Sequence, residues 1–275
     1  MNAARTASSD AAVPVAVGWT DCDLDPSAAE HSAEAIAGLG FRHAIINGLP
    51  LPTATLSPTA LPAGLTTRTV IPAPPAPSAA LLRDLASQGV CGVRFTLTGD
   101  TEAARAEMES VLRYADRVVP FGWHIELALD AGAVLTPHEW TLMRLPVAVC
   151  LSGVAELVAR HGLDDPEIGF LLDLLRIGRS WIRLPGRVPA GDDDAFRALV
   201  GTMATIRPDR LVWGSGAGAT PAGNGAGHIT AALATLARWL PDAALRAAVL
   251  GTNPARFLGF GSPDRAAVAA EAAGL

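Results

Sequence analysis

The stretch Pro-Asp-Arg-Leu-Val-Trp-Gly-Ser-Gly at residues 208–216 has the pattern of a barrel strand, which we expect over residues 210–216 with its glycines at the tip. A polar start leads into a short apolar run, and Gly214 and Gly216 follow it. Similar apolar runs precede this stretch, and segments of helical periodicity separate nearly all of them. The runs lie at residues 15–23, 41–47, 67–72, 90–97, 124–130, 146–152 and 180–185.

Eight strands that alternate with helices predict a (β/α)8 TIM barrel, with a doubly wound open sheet as the second choice. No G-x-G-x-x-G follows a strand, which disfavours a nucleotide-binding open sheet. The proline-rich residues 48–64 show almost no helical period, so we expect a distorted barrel whose second helix is replaced by a loop. We expect a flexible N-terminal tail at 1–14, one barrel domain at 15–261 and a C-terminal extension at 262–275.

Composition narrows the class of protein. The chain carries a net charge of −6 without any basic run, which argues against nucleic acid as a partner. No apolar stretch has the length that crosses a bilayer, and the start lacks the apolar core of a signal peptide. Three widely spaced cysteines indicate reduced thiols in a cytoplasmic protein. All 21 basic residues are arginine, so lysine chemistry is absent. The sequence does not determine the oligomeric state.

Functional side chains of a barrel are expected where the strands end. Strict alternation would put Asp21 and Asp23 on one face of the first strand and turn Cys22 outward. The other polar residues predicted near strand ends are Arg94, Glu126, Asp130, Ser152, Arg183 and Ser215.

Five motifs, taken in order along the chain, resemble one known family. They are Gly89-Val90-Cys91-Gly92-Val93-Arg94-Phe95, Gly122-Trp123-His124-Ile125, Leu145-Pro146-Val147, Asp209-Arg210-Leu211-Val212-Trp213-Gly214-Ser215, and Asn253-Pro254-Ala255-Arg256-Phe257-Leu258-Gly259-Phe260. Over roughly residues 20–260 the chain resembles the amidohydrolase superfamily, in its amidohydrolase-related (2-pyrone-4,6-dicarboxylate lactonase-like) branch. The resemblance implies a TIM barrel with a hydrolytic site at the strand tips.

The chain differs from that family at the positions of the residues that carry out hydrolysis. The family's first strand ends in His-x-His, where this chain is matched to Asp21 and Asp23. The sixth strand ends in Asp-His-x-Gly-Arg, where this chain has Ser152-Gly153-Val154-Ala155-Glu156. Where the family has a tyrosine on the fifth strand, this chain has Ala128. Where the family has an aspartate on the eighth strand and a histidine shortly after it, this chain has Gly216 and Ala219. Arg94 and Arg183 remain as possible carboxylate anchors, so the resemblance implies an active site with degenerate motifs.

Several interpretations of these residues stay open from the sequence. Asp21 and Asp23 could pair with Arg94 or Arg183, act as an acid/base pair, or bind a hard cation. Arg94 could bind an anionic ligand through its two-pronged guanidinium or form a structural ion pair. Asp130 and Glu126 could be the partners of these arginines.

The sequence therefore predicts a metal-independent, lactonase-like hydrolase that acts on a small carboxylate-bearing or lactone substrate, without metal or cofactor. Asp21 or Asp23 would be the general base, and Arg94, Arg183, Asp130, Ser152 and Ser215 would contact the substrate. The alternatives are a barrel that performs a lyase, isomerase or cyclase step, and a non-catalytic relative that binds a ligand or a partner.

Overall fold

A computed structural model describes residues 19–25, 29–48, 62–99, 101–130, 132–188, 191, 193–217 and 225–260. The predicted tail at 1–14, most of the proline-rich loop at 48–64 and the predicted extension at 262–275 lie outside these residues. The division of the chain into tail, barrel and extension therefore stays a prediction.

Eight parallel strands form one sheet in which each strand pairs with the next along the chain. This order, with helices between strands, confirms the predicted (β/α)8 barrel. The strands are β1 (Trp19–Leu24), β2 (Phe41–Asn47), β3 (Thr66–Pro72), β4 (Val90–Leu97), β5 (His124–Leu129), β6 (Val149–Ser152), β7 (Ser180–Leu184) and β8 (Leu211–Trp213).

Helices cover the outer face of the sheet, where their apolar sides pack on the strands. They are α1 (Ala29–Gly38), α2 (Ala79–Ser87), α3 (Thr101–Val118), α4 (Glu139–Leu142), α5 (Val154–His161), α6 (Pro166–Ile177), α7 (Asp193–Ile206), α8 (Ala226–Trp239), α9 (Ala243–Ala247) and α10 (Asn253–Leu258). None of the helices in the described residues combines the length and the apolar character needed to cross a membrane.

The sheet closes on itself at a seam between β1 and β8. Leu24 and Ala217 form an isolated parallel bridge, and the Asp25 N–H donates to the Ala217 carbonyl at 2.9 Å. One buried apolar cluster also contains a side chain from every strand except β5. The strands of a flat sheet could not contribute side chains to one such cluster, because its outer strands lie far apart. Its strand members are Cys22, Ile45, Val70, Cys91, Cys150, Trp181 and Val212. This cluster is the inside of the barrel.

Helix α10 plugs one end of the barrel. Phe257 stacks on Trp181 with ring centroids 4.7 Å apart, and it lies at the same distance from the ring of His124 at the start of β5. This end is the N-terminal end of the strands. Aromatic rings fill this end. The functional site of a barrel is expected at the opposite end, where the strands finish.

The strand bounds depart from expectation mainly at β6 and β8. Strand β6 begins at Val149 instead of residue 146, and β8 ends at Trp213 instead of residue 216. Gly216 has φ +65°, a left-handed conformation that a strand cannot continue. The glycine-rich end of the predicted strand is therefore a turn at the barrel mouth.

Candidate active site

A chain of ion pairs crosses the barrel where the strands end, with its two middle members buried and its two outer members partly exposed. Glu126 on β5 is 3% exposed and lies between two arginines: Arg94 Nη1 is 3.0 Å from its Oε1, and Arg183 Nη1 donates to its Oε2 at 3.0 Å. Arg183 on β7 continues the chain, because its Nη2 lies 3.4 Å from Asp23 Oδ1. We call these four residues the strand-tip network.

Arg183 is the most enclosed cation of the network, with a side chain only 6% exposed. Burial by itself lowers the pKa of its guanidinium, but the carboxylates of Asp23 and Glu126 outweigh burial and raise that pKa. Arg183 also donates to the Cys22 carbonyl at 3.2 Å. The network therefore contains a permanent, fully desolvated positive charge between two carboxylates.

Asp23 is the carboxylate of this network that reaches solvent, with 26% of its side chain exposed. Its Oδ1 accepts from Asn47 Nδ2 at 3.0 Å and faces Arg183. Among the described residues, a Cβ placed on Gly216 would meet only Asp23 Oδ2 within 4 Å, at 3.9 Å, so this part of the chain leaves room between that glycine and the oxygen. Gly214 packs directly under Asp23, since a Cβ there would lie 2.3 Å from the Asp23 Cβ.

The expectation that Asp21 and Asp23 share one face of β1 is wrong, because β1 contains an extra residue. Asp21 pairs with Ala44 and Leu24 with Ile46, so β1 advances three positions while β2 advances two. Asp21 therefore shares the outer face with Ala44, and the expectation that Cys22 points outward is also wrong. Cys22 belongs to the cluster inside the barrel. An ion pair of Asp21 with Arg94 or Arg183, one of the alternatives that the sequence left open, is not formed among the described residues.

Asp21 connects the two strands of the seam. It is fully buried, and its Oδ1 accepts the Ser215 N–H at 2.9 Å and the Asp23 N–H at 3.0 Å. Its Oδ2 has no hydrogen-bond partner among the described residues. Burial raises the pKa of Asp21 to about 7, and the hydrogen bonds from Ser215 and Asp23 only partly oppose this shift.

The pKa of Asp21 predicts a measurable pH dependence of stability. Its ordinary value is 3.8 and the folded value is about 7, so between these limits the folded state holds a proton that the unfolded state has lost. The free energy of unfolding of the wild type should therefore fall by a few kcal/mol relative to Asp21→Asn as the pH rises through this range. Urea unfolding of both proteins at several pH values measures the difference. The exposed change Asp116→Asn is the control, and equal slopes for wild type and Asp21→Asn would contradict the assignment.

The remaining predicted residues lie near the strand ends in different surroundings. Arg94 has 31% of its side chain exposed, so part of its guanidinium is accessible. Ser152 Oγ donates to Glu126 Oε1 at 3.3 Å, and Ser215 Oγ accepts the Ala217 N–H at 3.0 Å. Asp130 Oδ1 accepts the Gly132 N–H at 2.8 Å, and among the described residues no ion pair joins it to Arg94 or Arg183. Substrate contact by these residues stays a prediction.

The roles of two residues of the site differ from what the sequence predicted. Glu126 was expected only as a possible partner of an arginine, whereas it joins Arg94 and Arg183 into one network. Asn47 was not predicted at all, yet it positions Asp23 and also donates to the Cys22 carbonyl at 2.9 Å. The available signal was its place: Asn47 is a polar residue at the last position of a buried strand.

The described residues do not fit a divalent metal ion at the strand tips. The β1 side chain in the cluster inside the barrel is Cys22, and the carboxylates of the strand-tip network, Asp23 and Glu126, both face the guanidinium of Arg183. A divalent ion between them would meet a fixed like charge. Within the described ranges no group of three histidine, cysteine, aspartate or glutamate side chains is placed to hold a metal. We therefore derive no step through a metal.

Comparison with known proteins agrees with this architecture. A protein-family model described as amidohydrolase matches residues 17–260. Two curated relatives are both named 4-sulfomuconolactone hydrolase. The protein of Hydrogenophaga intermedia is 27% identical over 144 residues, covering 49% of this chain and 45% of the relative. The protein of Rhizobium radiobacter is 30% identical over 195 residues, covering 65% of this chain and 61% of the relative. The matched regions thus span less than two thirds of each relative.

Solved structures share the fold at low sequence identity. A protein of Agrobacterium tumefaciens, solved in its apo form, superposes with a TM-score of 0.66 at 18% identity and covers 89% of this chain and 97% of its own. A probable 2-pyrone-4,6-dicarboxylic acid hydrolase of Acinetobacter baumannii was solved with citric acid bound. It superposes with a TM-score of 0.65 at 15% identity and covers 88% of this chain and 100% of its own. At 15% and 18% identity, these two structures show that the fold is shared.

Proposed function

The chain belongs to the amidohydrolase family, and on that basis we propose that it is a metal-independent, lactonase-like hydrolase of a small carboxylate-bearing molecule. The curated relatives, both named as lactone hydrolases, support this substrate class. The observation that carries the proposal is the geometry of Asp23, a carboxylate that is 26% exposed and is held in place at the barrel mouth, with room between it and Gly216 among the described residues.

Asp23 is proposed as the general base. Asn47 and Arg183 hold its Oδ1, so Oδ2 is directed to the open side near Gly216. A water molecule there would give a proton to Asp23 while its oxygen bonds to the lactone carbonyl carbon. The ring C–O bond then breaks, and the proton on Asp23 passes to the leaving oxygen. The atoms balance with water as the only co-reactant.

Arg94 is proposed as the anchor for the substrate carboxylate. One arm of its guanidinium is bound to Glu126, which fixes its position, and the accessible part can donate to a carboxylate. Such a contact also orients the ring toward Asp23, and orientation contributes strongly to rate. Arg183, buried beneath, is proposed as a positioning residue because its contacts are to Asp23, Glu126 and the Cys22 carbonyl.

A panel of carboxylate-bearing lactones tests the proposal directly. Ring opening consumes base and can be followed in a pH-stat with the purified protein before and after dialysis against a chelator. We expect hydrolysis of at least one carboxylate lactone at an unchanged rate after chelation, and little hydrolysis of the matched methyl ester. Binding of these lactones without ring opening would favour the non-catalytic alternative. Conversion to a product without uptake of base would favour a lyase or isomerase step.

The change Arg94→Ala is expected to raise KM for a carboxylate lactone roughly tenfold to hundredfold, the value of a charge-assisted hydrogen bond to an anion. Arg94→Lys should recover only part of this, because lysine lacks the two-pronged donor. Steady-state kinetics measure both variants. Arg105→Ala on the exposed face of α3, where the side chain is 81% exposed, is the control. An unchanged KM in Arg94→Ala would remove Arg94 from the binding site.

A further inference from the structure

A cavity lies beside the end of β4, and Asp23 is not among its described lining residues. It has a volume of about 570 Å³ and is enclosed by the residues that follow β3, the end of β4 and one side of α3. Its described lining includes Arg94, Arg113 and Arg117 but a single acidic residue, Glu107. In a chain with a net charge of −6 this lining is positive, which favours an anionic occupant.

Tyr114 provides an observation that is independent of this charge. It lines the cavity, is 7% exposed, and its hydroxyl has no hydrogen-bond partner among the described residues. Its ring is fixed edge-on against Phe95, with centroids 5.4 Å apart. A buried hydroxyl without a partner costs free energy, and a ligand in the cavity that accepts from it would remove that cost.

The hydroxyl of Tyr114 is available as a donor. Burial raises the pKa of Tyr114 to about 12, against the opposing effect of the Arg117 guanidinium. The hydroxyl therefore keeps its proton at neutral pH, and a positive charge lies close to it. An anion that accepts from the hydroxyl would also be attracted by Arg117.

The loop opposite α3 is held in a strained conformation. Ala76 lines the cavity with φ +43°, a region that residues other than glycine rarely adopt. Arg117 Nη1 donates to the Pro77 carbonyl at 3.3 Å, which fastens this loop to α3. The walls of the cavity are thus fixed relative to each other, as a binding site requires.

We propose that this cavity is a second binding site, for a small organic or inorganic anion whose oxygens accept from the Tyr114 hydroxyl and from the Arg117 guanidinium. Carboxylate and phosphate share this chemistry. The proposal does not depend on the proposed hydrolysis. Because Arg94 lines the cavity and also pairs with Glu126, an anion bound here would lie next to the strand-tip network.

The test uses the fact that the chain contains one tyrosine. Protein labelled with carbon-13 at the tyrosine ring carbon that bears the hydroxyl gives one resonance, which reports directly on Tyr114. We expect inorganic phosphate or acetate, titrated at constant ionic strength, to shift this resonance saturably. Arg117→Gln should weaken the binding by about tenfold or more, and Arg105→Gln on the same helix should leave it unchanged.

A second variant checks the unpaired hydroxyl. Tyr114→Phe should weaken anion binding in calorimetry by about tenfold, while the midpoint of urea unfolding without anion stays equal or rises. The proposal is overturned if the resonance follows ionic strength alone, or if Arg117→Gln binds as tightly as the wild type. It is also overturned if Tyr114→Phe lowers the unfolding midpoint, since that would reveal a partner within the chain. Near-UV circular dichroism verifies that each variant is folded.

Discussion

Replacing Arg183 with methionine is expected to lower the free energy of unfolding by about 3–5 kcal/mol, the usual cost of leaving a buried charge without its partner. Arg183 is 6% exposed and holds both Glu126 and Asp23. Glu126, 3% exposed, would keep only Arg94 as a cation, and Asp23 would lose its own. Urea unfolding followed by tryptophan fluorescence measures the loss.

Two matched variants separate this effect from a general loss of arginine. Arg197→Met removes an exposed ion pair with Asp194 and should cost less than about 1 kcal/mol. The double change Arg183→Met with Glu126→Leu removes both buried charges and should cost less than Arg183→Met alone, because no carboxylate is left buried on β5. A small loss in Arg183→Met would show that water enters the network and that its charges are solvated.

Replacing Asp23 with asparagine is expected to reduce kcat for lactone hydrolysis by roughly 10²–10⁴-fold, the usual contribution of a general base. Asparagine has nearly the same shape and can still accept from Asn47, but it cannot take a proton from water. KM should change little, because Arg94 carries the carboxylate contact. Steady-state kinetics on the lactone found in the panel provide the measurement.

Asp21→Asn is the natural control for Asp23→Asn. Both residues are carboxylates of β1, but Asp21 lies on the outer face and binds backbone N–H groups of the seam. Asparagine keeps an acceptor oxygen there, so activity should stay within a few-fold of the wild type. If Asp21→Asn abolished activity and Asp23→Asn did not, the proposed base would be wrong and the seam carboxylate would take its place.

The sequence predicted the elements well where periodicity is strong. The bounds predicted for β2 and β4 agree with the structure, because each is a clear apolar run between turn residues. Arg94 and Arg183 could be predicted to lie at the mouth of the barrel, because alternation is regular along β7 and along β4 from Gly92 onward. For the same reason Glu126 could be placed on the inner face of β5.

Alternation failed in β1, where the candidate base lies. One extra residue between Asp21 and Leu24 reverses the faces of Asp21 and Cys22, and no local signal in the sequence marks this bulge. The bulge is stabilised by contacts from distant elements, such as Asn47 of β2 and the Ser215 N–H beyond β8. Strand periodicity contains no information on such contacts.

The sequence by itself determined the barrel, the family and the set of charged side chains at the strand ends, because these depend on periodicity and on motifs that are local in the chain. Only the tertiary structure decided how those charges pair. It placed Glu126 between two arginines and put Asp21 and Asp23 on different faces of β1. It also left the Tyr114 hydroxyl without a partner among the described residues, beside a positive cavity. The physical reason is that pairing depends on distances between residues far apart in the chain, and closing the barrel sets those distances.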